Sequence, residues 1–151
     1  MDTTQSIQHY CRYQERCHKE VRNKLYELGC TTPEVEGHIA DLIAENIVNE
    51  ERYARSYARG RFRMKQWGRV KIISQLRFNK VSDYCIKKAL TEIDGDEYYK
   101  TLLKLTEKKW VELKKERSPK MRAHKVRKYL LQKGYENSLI TDALEENTNP
   151  A

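Results

Sequence analysis

Glycine and proline are scarce in this chain, six and three among 151 residues. A turn-rich β fold needs more of both, so the composition favours helices over strands. No apolar run approaches the ~18 residues that a membrane span requires, and no apolar stretch near the N-terminus resembles a secretion signal. Cys11, Cys17, Cys30 and Cys85 form no CxxC pair, which argues against a zinc ribbon or a thiol redox motif. A P-loop, a glycine-rich dinucleotide turn, an HExxH pair and a Ser or Cys nucleophile beside a placed base are all absent. The expectation is a soluble, reduced, cytoplasmic protein that is not an enzyme and holds no cofactor and no metal. It needs no small-molecule substrate and no membrane, and monomer is the default state.

What the chain has in quantity is charge, at 34% of residues with a formal net of +8. That total hides a strong asymmetry. Residues 1–51 carry five bases and ten acids, residues 52–135 twenty-five and eight, and residues 136–151 none and four. A basic centre between acidic ends concentrates a positive field, which attracts polyanions and speeds their capture. Nucleic acid, or a protein already assembled on it, is the natural partner.

The chain is also a repeat. VRNKLYELGCTTPEVEGHI (21–39), IISQLRFNKVSDYCIKKAL (72–90) and VRKYLLQKGYENSLITDAL (126–144) align without gaps. Each opens on an apolar residue (Val21, Ile72, Val126) with Leu four later (Leu25, Leu76, Leu130), and spacing by four places both on one helix face. The helix then stops at Gly29, Lys80 or Gly134. A cap-forming residue follows (Thr32, Asp83, Asn137), then a second apolar pair (Val35 and Ile39, Ile86 and Leu90, Ile140 and Leu144). Gly suits the left-handed C-cap; where Lys80 replaces it, Asn79 is the expected left-handed residue.

Ahead of each hairpin lies another amphipathic segment, at about Gln5–Glu15, Asn49–Arg63 and Asp96–Glu116. The pattern predicts an all-α, elongated, curved array of three tandem three-helix repeats, about nine helices. The repeat boundaries are 1–47, 48–94 with an Arg-rich motif, and 95–151, which is Lys-rich. Met1 to about Thr4 and about Asn147 to Ala151 read as frayed.

The stretch ERYARSYARGRFRMKQWGRVKI (51–72) sets eight bases among four aromatics with one acid. At 100° per residue Tyr53, Ala54, Tyr57, Ala58 and Met64 fall on one arc, and Arg52, Arg55, Arg59 and Arg63 on another. The tyrosines read as core. A solvated helix face usually mixes signs, whereas this stripe, continued by Lys65, Arg69 and Lys71, repels itself and implies an anionic partner. Arginine suits forked contact with phosphate. Phe62 and Trp67, at the edge of the apolar arc, are candidates for base stacking, although a Trp in such a place more often packs between helices. Further on, Lys108, Lys109, Lys114, Lys115, Arg117, Lys120, Arg122, Lys125, Arg127 and Lys128 extend the field, relieved by Glu107, Glu112 and Glu116.

Residues 39–90, IADLIAENIVNEERYARSYARGRFRMKQWGRVKIISQLRFNKVSDYCIKKAL, resemble the middle of the bacterial RecX family. The resemblance rests on Glu51-Arg52-Tyr53-Ala54-Arg55, on Arg59, on the Trp67-Gly68 break, and on the run from Lys71 through Ile72 and Ile73 to Leu76, with Ser82-Asp83 before the next helix. Val70, Lys80 and Cys17 depart from the family pattern. The resemblance implies a regulator that binds the RecA recombinase filament on single-stranded DNA. It would curb ATP hydrolysis, strand exchange and co-protease activity without catalysis of its own. Arg52, Arg55 and Arg59 carry over from the family motif, with Arg63 and Arg69 beside them.

Other readings are weaker. His9, Cys11, Cys17 and His18 lie within ten residues but not at zinc-finger spacing; on one continuous helix Cys11 and His18 would share a face and His9 would oppose them. An independent basic helical nucleic-acid-binding module is the serious alternative, although no short recognition helix with Asn or Gln at base-reading positions stands out.

Overall fold

The computed structural model describes residues 1–148. Among them are nine α-helices and no strand: α1 (Thr3–Tyr13), α2 (His18–Glu27), α3 (Thr32–Ala44), α4 (Glu50–Lys65), α5 (Arg69–Phe78), α6 (Asp83–Leu90), α7 (Gly95–Glu112), α8 (Pro119–Lys133) and α9 (Asn137–Thr148). The first end expected to fray is helical from Thr3, because Asp2 caps it. Its Oδ1 accepts from the Gln5 amide at 2.8 Å while the Gln5 side chain accepts from the Asp2 amide at 3.1 Å, the reciprocal box that satisfies two orphan donors. At the other end Asn147 and Thr148 belong to α9; the rest of that expectation lies outside the described residues.

The three aligned hairpins share their turn geometry. Gly29, Lys80 and Gly134 have φ of 92°, 61° and 99°. In each, the amide of the next residue donates back to the conserved-spacing leucine carbonyl: Cys30 to Leu25 at 3.1 Å, Val81 to Leu76 at 3.0 Å, Tyr135 to Leu130 at 3.1 Å. This is a Schellman closure, which needs one left-handed residue. Lys80 itself is that residue, not Asn79, whose side chain instead donates to the Tyr53 hydroxyl at 3.1 Å. Thr32, Asp83 and Asn137 are the first helical residues rather than the caps. Capping falls one position earlier, where Thr31 pairs with Glu34 and Ser82 accepts from the Cys85 amide at 3.3 Å; adjacent polar residues leave that register open in the sequence.

The residues form two compact units. The first comprises residues 1–57 and 76–90. Its core gathers Ile7, Cys11, Val21, Leu25, Val35, Ile39, Leu42 and Val48, with Tyr53, Leu76 and Ile86 also buried. The α1–α2 break at residues 14–17 puts Cys11 and His18 on different helices, so the single-helix geometry considered for them does not arise. The second unit comprises residues 58–75 and those from Thr91 onward. Its core holds Phe62, Ile72, Tyr98, Leu102, Leu105, Val126, Leu130, Tyr135 and Ile140, with α7 packed on both α8 and α9.

Helix α7 ends at Glu112, four residues short of expectation. Both the Nε–H and an Nη–H of Arg122 donate to the Trp110 carbonyl, the first at 2.8 Å, and the guanidinium lies 4.2 Å from the Trp110 ring centroid. A cation on a last-turn carbonyl is a favourable helix stop.

Candidate functional site

Helix α4 begins under Asn49, whose Oδ1 accepts from the Arg52 amide at 2.9 Å. Tyr53, Ala54, Ala58 and Phe62 turn inward and are buried, whereas Tyr57, also read as core, is half-buried, so the apolar arc read from the sequence is real but narrower and ends at Phe62. Met64, expected on that arc, is 86% exposed, one residue before the helix stops at Lys65. Phe62, offered as a stacking platform, is core: its ring centroid lies 5.8 Å from that of Tyr98. It has no free face for a base.

The arginines of α4 meet acids, Arg55 within the helix and Arg52 and Arg59 from elsewhere in the chain. In the first unit, Arg52 Nε donates to Glu15 at 2.7 Å, and its Nη2 donates to the carbonyls of Asn46 and Ile47 at 3.1 and 3.0 Å. Arg55 pairs with Glu51 at 3.2 Å. In the second unit, Arg59 reaches Glu92 at 3.0 Å. Arg69, at the start of α5, pairs with Glu136 at 2.9 Å and stacks 3.9 Å from the Tyr98 ring centroid. The self-repelling stripe read along one helix is thus partly neutralised, by Glu51 on α4 and by tertiary partners. These side chains are about a third exposed, so the pairs are wet and exchangeable rather than sealed.

Arg63 and Lys65 are exposed and Lys71 half-buried, and none has an acid within salt-bridge distance among the described residues. They flank the α4–α5 turn, which is built on the second unit's other hairpin. Gly68 donates its amide to the Lys133 carbonyl at 2.8 Å and Val70 donates to the Gly134 carbonyl at 2.9 Å. The Tyr135 hydroxyl donates to the Gln66 carbonyl, and the Lys133 ammonium to the Lys65 carbonyl, each at 2.8 Å. Beneath the turn, the Tyr98 hydroxyl donates to Glu136 and accepts from the Arg69 amide at 2.9 Å. Burial first, then this bond to a carboxylate, raises the Tyr98 pKa, so the phenol stays a donor.

Trp67 is half-buried on this turn, with the Lys71 ammonium 4.3 Å from its ring centroid, Arg61 at 5.5 Å and Lys65 at 5.7 Å. Lys133 joins them. Desolvation first, and then the charges of Lys71 and Lys108, lower its pKa. Lys133 was missed in the sequence because its contribution comes through the Gly134 turn; its place in the third aligned segment, next to that Gly, was the available signal.

The lysine-rich run divides in two. Arg122 stops α7, Lys125 pairs with Glu116 at 2.6 Å, Arg127 holds the Asn137 side chain at 2.6 Å, and Lys109 lies 3.4 Å from Glu112. Lys108, Lys114, Lys115, Arg117, Lys120 and Lys128 are exposed. Among the described residues no helix is long and apolar enough to cross a membrane.

Comparison with known proteins follows the same architecture. Residues 49–90 match the family model described as RecX, second three-helix domain, and residues 96–144 match RecX, third three-helix domain. The regulatory protein RecX of Clostridium perfringens (strain 13 / Type A) is 35% identical over 132 residues, 87% of this chain and 61% of that protein. The chain therefore spans 61% of the length of that relative. The regulatory protein RecX of Haemophilus influenzae (strain ATCC 51907 / DSM 11121 / KW20 / Rd) is 28% identical over 129 residues, 85% of this chain and 83% of that one. The crystal structure of RecX from Lactobacillus salivarius superposes with a TM-score of 0.85 at 25% identity, covering 97% of this chain and 94% of that chain. The chain belongs to the RecX family.

Proposed function

We propose that this protein is a non-catalytic modulator, mainly an inhibitor, of the RecA recombinase. It would act by binding the RecA filament on single-stranded DNA and suppressing ATP hydrolysis, strand exchange and co-protease activity. Membership of the RecX family, whose named relatives are regulatory proteins, is the observation that carries this reading. Charge supports it: twenty-five bases against eight acids over residues 52–135 suit a partner that is itself a polyanion or is wrapped on one. Within the site, Arg63, Lys65 and Lys71 are the contact residues. Arg55 and Arg59 can exchange an exposed carboxylate for phosphate, and Arg52 and Arg69 chiefly hold α4 and the α4–α5 turn in place.

The test is ATP hydrolysis by a bacterial recombinase filament preassembled on single-stranded DNA, with this protein added well below the recombinase concentration and salt held fixed. Inhibition at that dose is expected. Absence of inhibition together with tight binding to free DNA would instead identify an independent basic nucleic-acid-binding module.

A further inference from the structure

The second unit brings three lysines to one turn without an acid to balance them. Lys65 and Lys71 flank the Trp67 ring, at 5.7 and 4.3 Å from its centroid. Lys133 arrives from a segment more than sixty residues away, anchored by one of its ammonium hydrogens on the Lys65 carbonyl at 2.8 Å. The two other hydrogens of that ammonium remain to donate. The gathering is enforced by the backbone bonds from Gly68 to Lys133 and from Val70 to Gly134, so the cluster is preorganised and its repulsion favours an incoming anion. Lysine, a compact charge with rotatable donors, suits phosphodiester oxygens that lie at varying angles.

Adjoining the same turn, Gln66 borders a cavity of about 420 Å³ whose rim carries Arg63, Lys100 and Lys104, with Glu97 as its acid. Basic groups therefore continue on a second side of the turn. A folded protein's acidic patch would need matching carboxylates on both sides. A flexible polyanion with a charge on every residue meets that condition by itself.

We propose that the 65–71 turn and Lys133 form a strand-binding subsite, in which Lys65, Lys71 and Lys133 hold backbone phosphates of single-stranded DNA beside the Trp67 ring. This deepens the reading given under the proposed function and rests on it for the choice of DNA. It adds two things: Lys133 as a phosphate ligand, and a site built jointly by the α4–α5 and α8–α9 turns. Because Trp67 has a π-face and no base-specific hydrogen bonds are required, binding is insensitive to sequence.

Trp67 and Trp110 are the two tryptophans of the chain, so Trp110→Phe leaves Trp67 as sole reporter. Titration of that protein with an oligothymidylate is expected to change its fluorescence saturably, with affinity falling as salt rises. In the same background Lys71→Ala and Lys133→Gln are each expected to weaken binding about five- to tenfold. Each should also lower the salt slope by roughly 0.7, the value for one lost single-strand phosphate contact. Lys87→Ala, exposed on α6 and outside the residues assigned to binding, serves as the charge control and is expected to change affinity less than twofold. Unfolding midpoints in urea establish that the variants are folded, and Lys65→Ala replaces any that is not.

No Trp67 response to the oligomer, or Lys71 and Lys133 variants that bind as tightly as the parent, overturns the subsite. So does competition by polyglutamate at equal charge concentration as effective as by the oligomer. The filament ATPase assay on the unmodified protein separates the two readings. Inhibition with lysine-independent oligomer binding defeats the subsite and leaves the regulator; lysine-dependent oligomer binding without inhibition does the reverse.

Discussion

Gly134 fills the side-chain space of Gly68. A Cβ on Gly68 would lie 2.2 Å from the Gly134 carbonyl oxygen, and a Cβ on Gly134 would lie 2.3 Å from the Lys71 Cβ. Gly134 has, in addition, a φ of 99°. One glycine is therefore demanded by close approach alone and the other by approach and conformation together. Through this contact the basic turn is fastened to the rest of the second unit.

Substituting alanine tests that fastening. Gly68→Ala forces backbone against backbone and is expected to cost roughly 3 kcal/mol or more, an exceptional value for a single methyl group. Gly134→Ala is expected to be at least as damaging. Gly29→Ala is the comparison, since φ there is 92° but nothing lies within 4 Å of the added carbon. It should cost only the left-handed penalty of about 1–2 kcal/mol. Urea unfolding monitored by circular dichroism gives all three. Similar losses at Gly29 and Gly68 would remove the argument from close approach.

The division of labour among the arginines predicts a split between stability and binding. Arg52 satisfies two backbone carbonyls and a carboxylate, so Arg52→Ala is expected to destabilise the first unit by about 1.5–3 kcal/mol, the range for hydrogen bonds to a charged group. Arg63 is exposed on α4 and lacks such bonds among the described residues. Arg63→Ala should stay within about 0.5 kcal/mol in stability while weakening DNA or filament binding. Paired unfolding and binding curves decide it, and the idea fails if Arg63→Ala is the less stable of the two.

Much of this was legible in the sequence. The i, i+4 apolar pairs marked the faces that are in fact buried, with Val21, Leu25, Ile72, Leu76, Val126 and Leu130 all at 0% exposure, because helical periodicity is a local property. The family was legible in the run from Glu51 to Leu76. What escaped was tertiary. Counting charges along α4 could not show that Glu15 and Glu92 come to meet Arg52 and Arg59. Nor could it show that Phe62, on the margin of the arc by angle, is covered by Tyr98 from a helix more than thirty residues on. Lys133 belonged to a different repeat from Trp67, and only the interlocked glycine turns bring the two together.

Tyr98 is expected to matter through its hydroxyl and not only its ring. Tyr98→Phe keeps the packing against Phe62 and Tyr135 but leaves the Arg69 amide and one Glu136 oxygen without this partner. A loss of about 1–3 kcal/mol is expected for groups so stranded. If the second unit instead tolerates the change without loss, water replaces the hydroxyl and the buried network is not holding the turn.

Alkaline pH should unfold the protein earlier than its charge alone suggests. Burial pushes the Cys11 thiol up to about 11 from 9.0, and burial likewise raises Tyr53, Tyr98 and Tyr135. In each case the folded state favours the neutral form, while the unfolded chain deprotonates at the ordinary value. The contribution of Cys11 is therefore complete below pH 9 and is lost as pH rises through about 11. Urea midpoints measured from pH 8 to 11 should fall, and fall less steeply in Cys11→Ala, whose lower starting stability is read at pH 8. Parallel slopes would assign the alkaline loss to the tyrosines and to Cys17, whose thiol burial also raises.

Lys80 offers a gain instead of a loss. It stands at φ 61° in the same Schellman position that Gly29 and Gly134 fill, and a left-handed residue with a Cβ costs roughly 1–2 kcal/mol. Glycine removes that strain but has more freedom to lose on folding, which offsets part of the benefit. Because the Lys80 side chain is exposed, little packing is forfeited. Lys80→Gly is thus expected to stabilise the first unit by about 0.5–1 kcal/mol, read as a higher urea midpoint at unchanged slope. Lys80→Ala, which keeps the Cβ and the strain, should show no such gain. If alanine stabilised as much as glycine, the effect would lie in the lysine charge, and the backbone argument at this turn would be wrong.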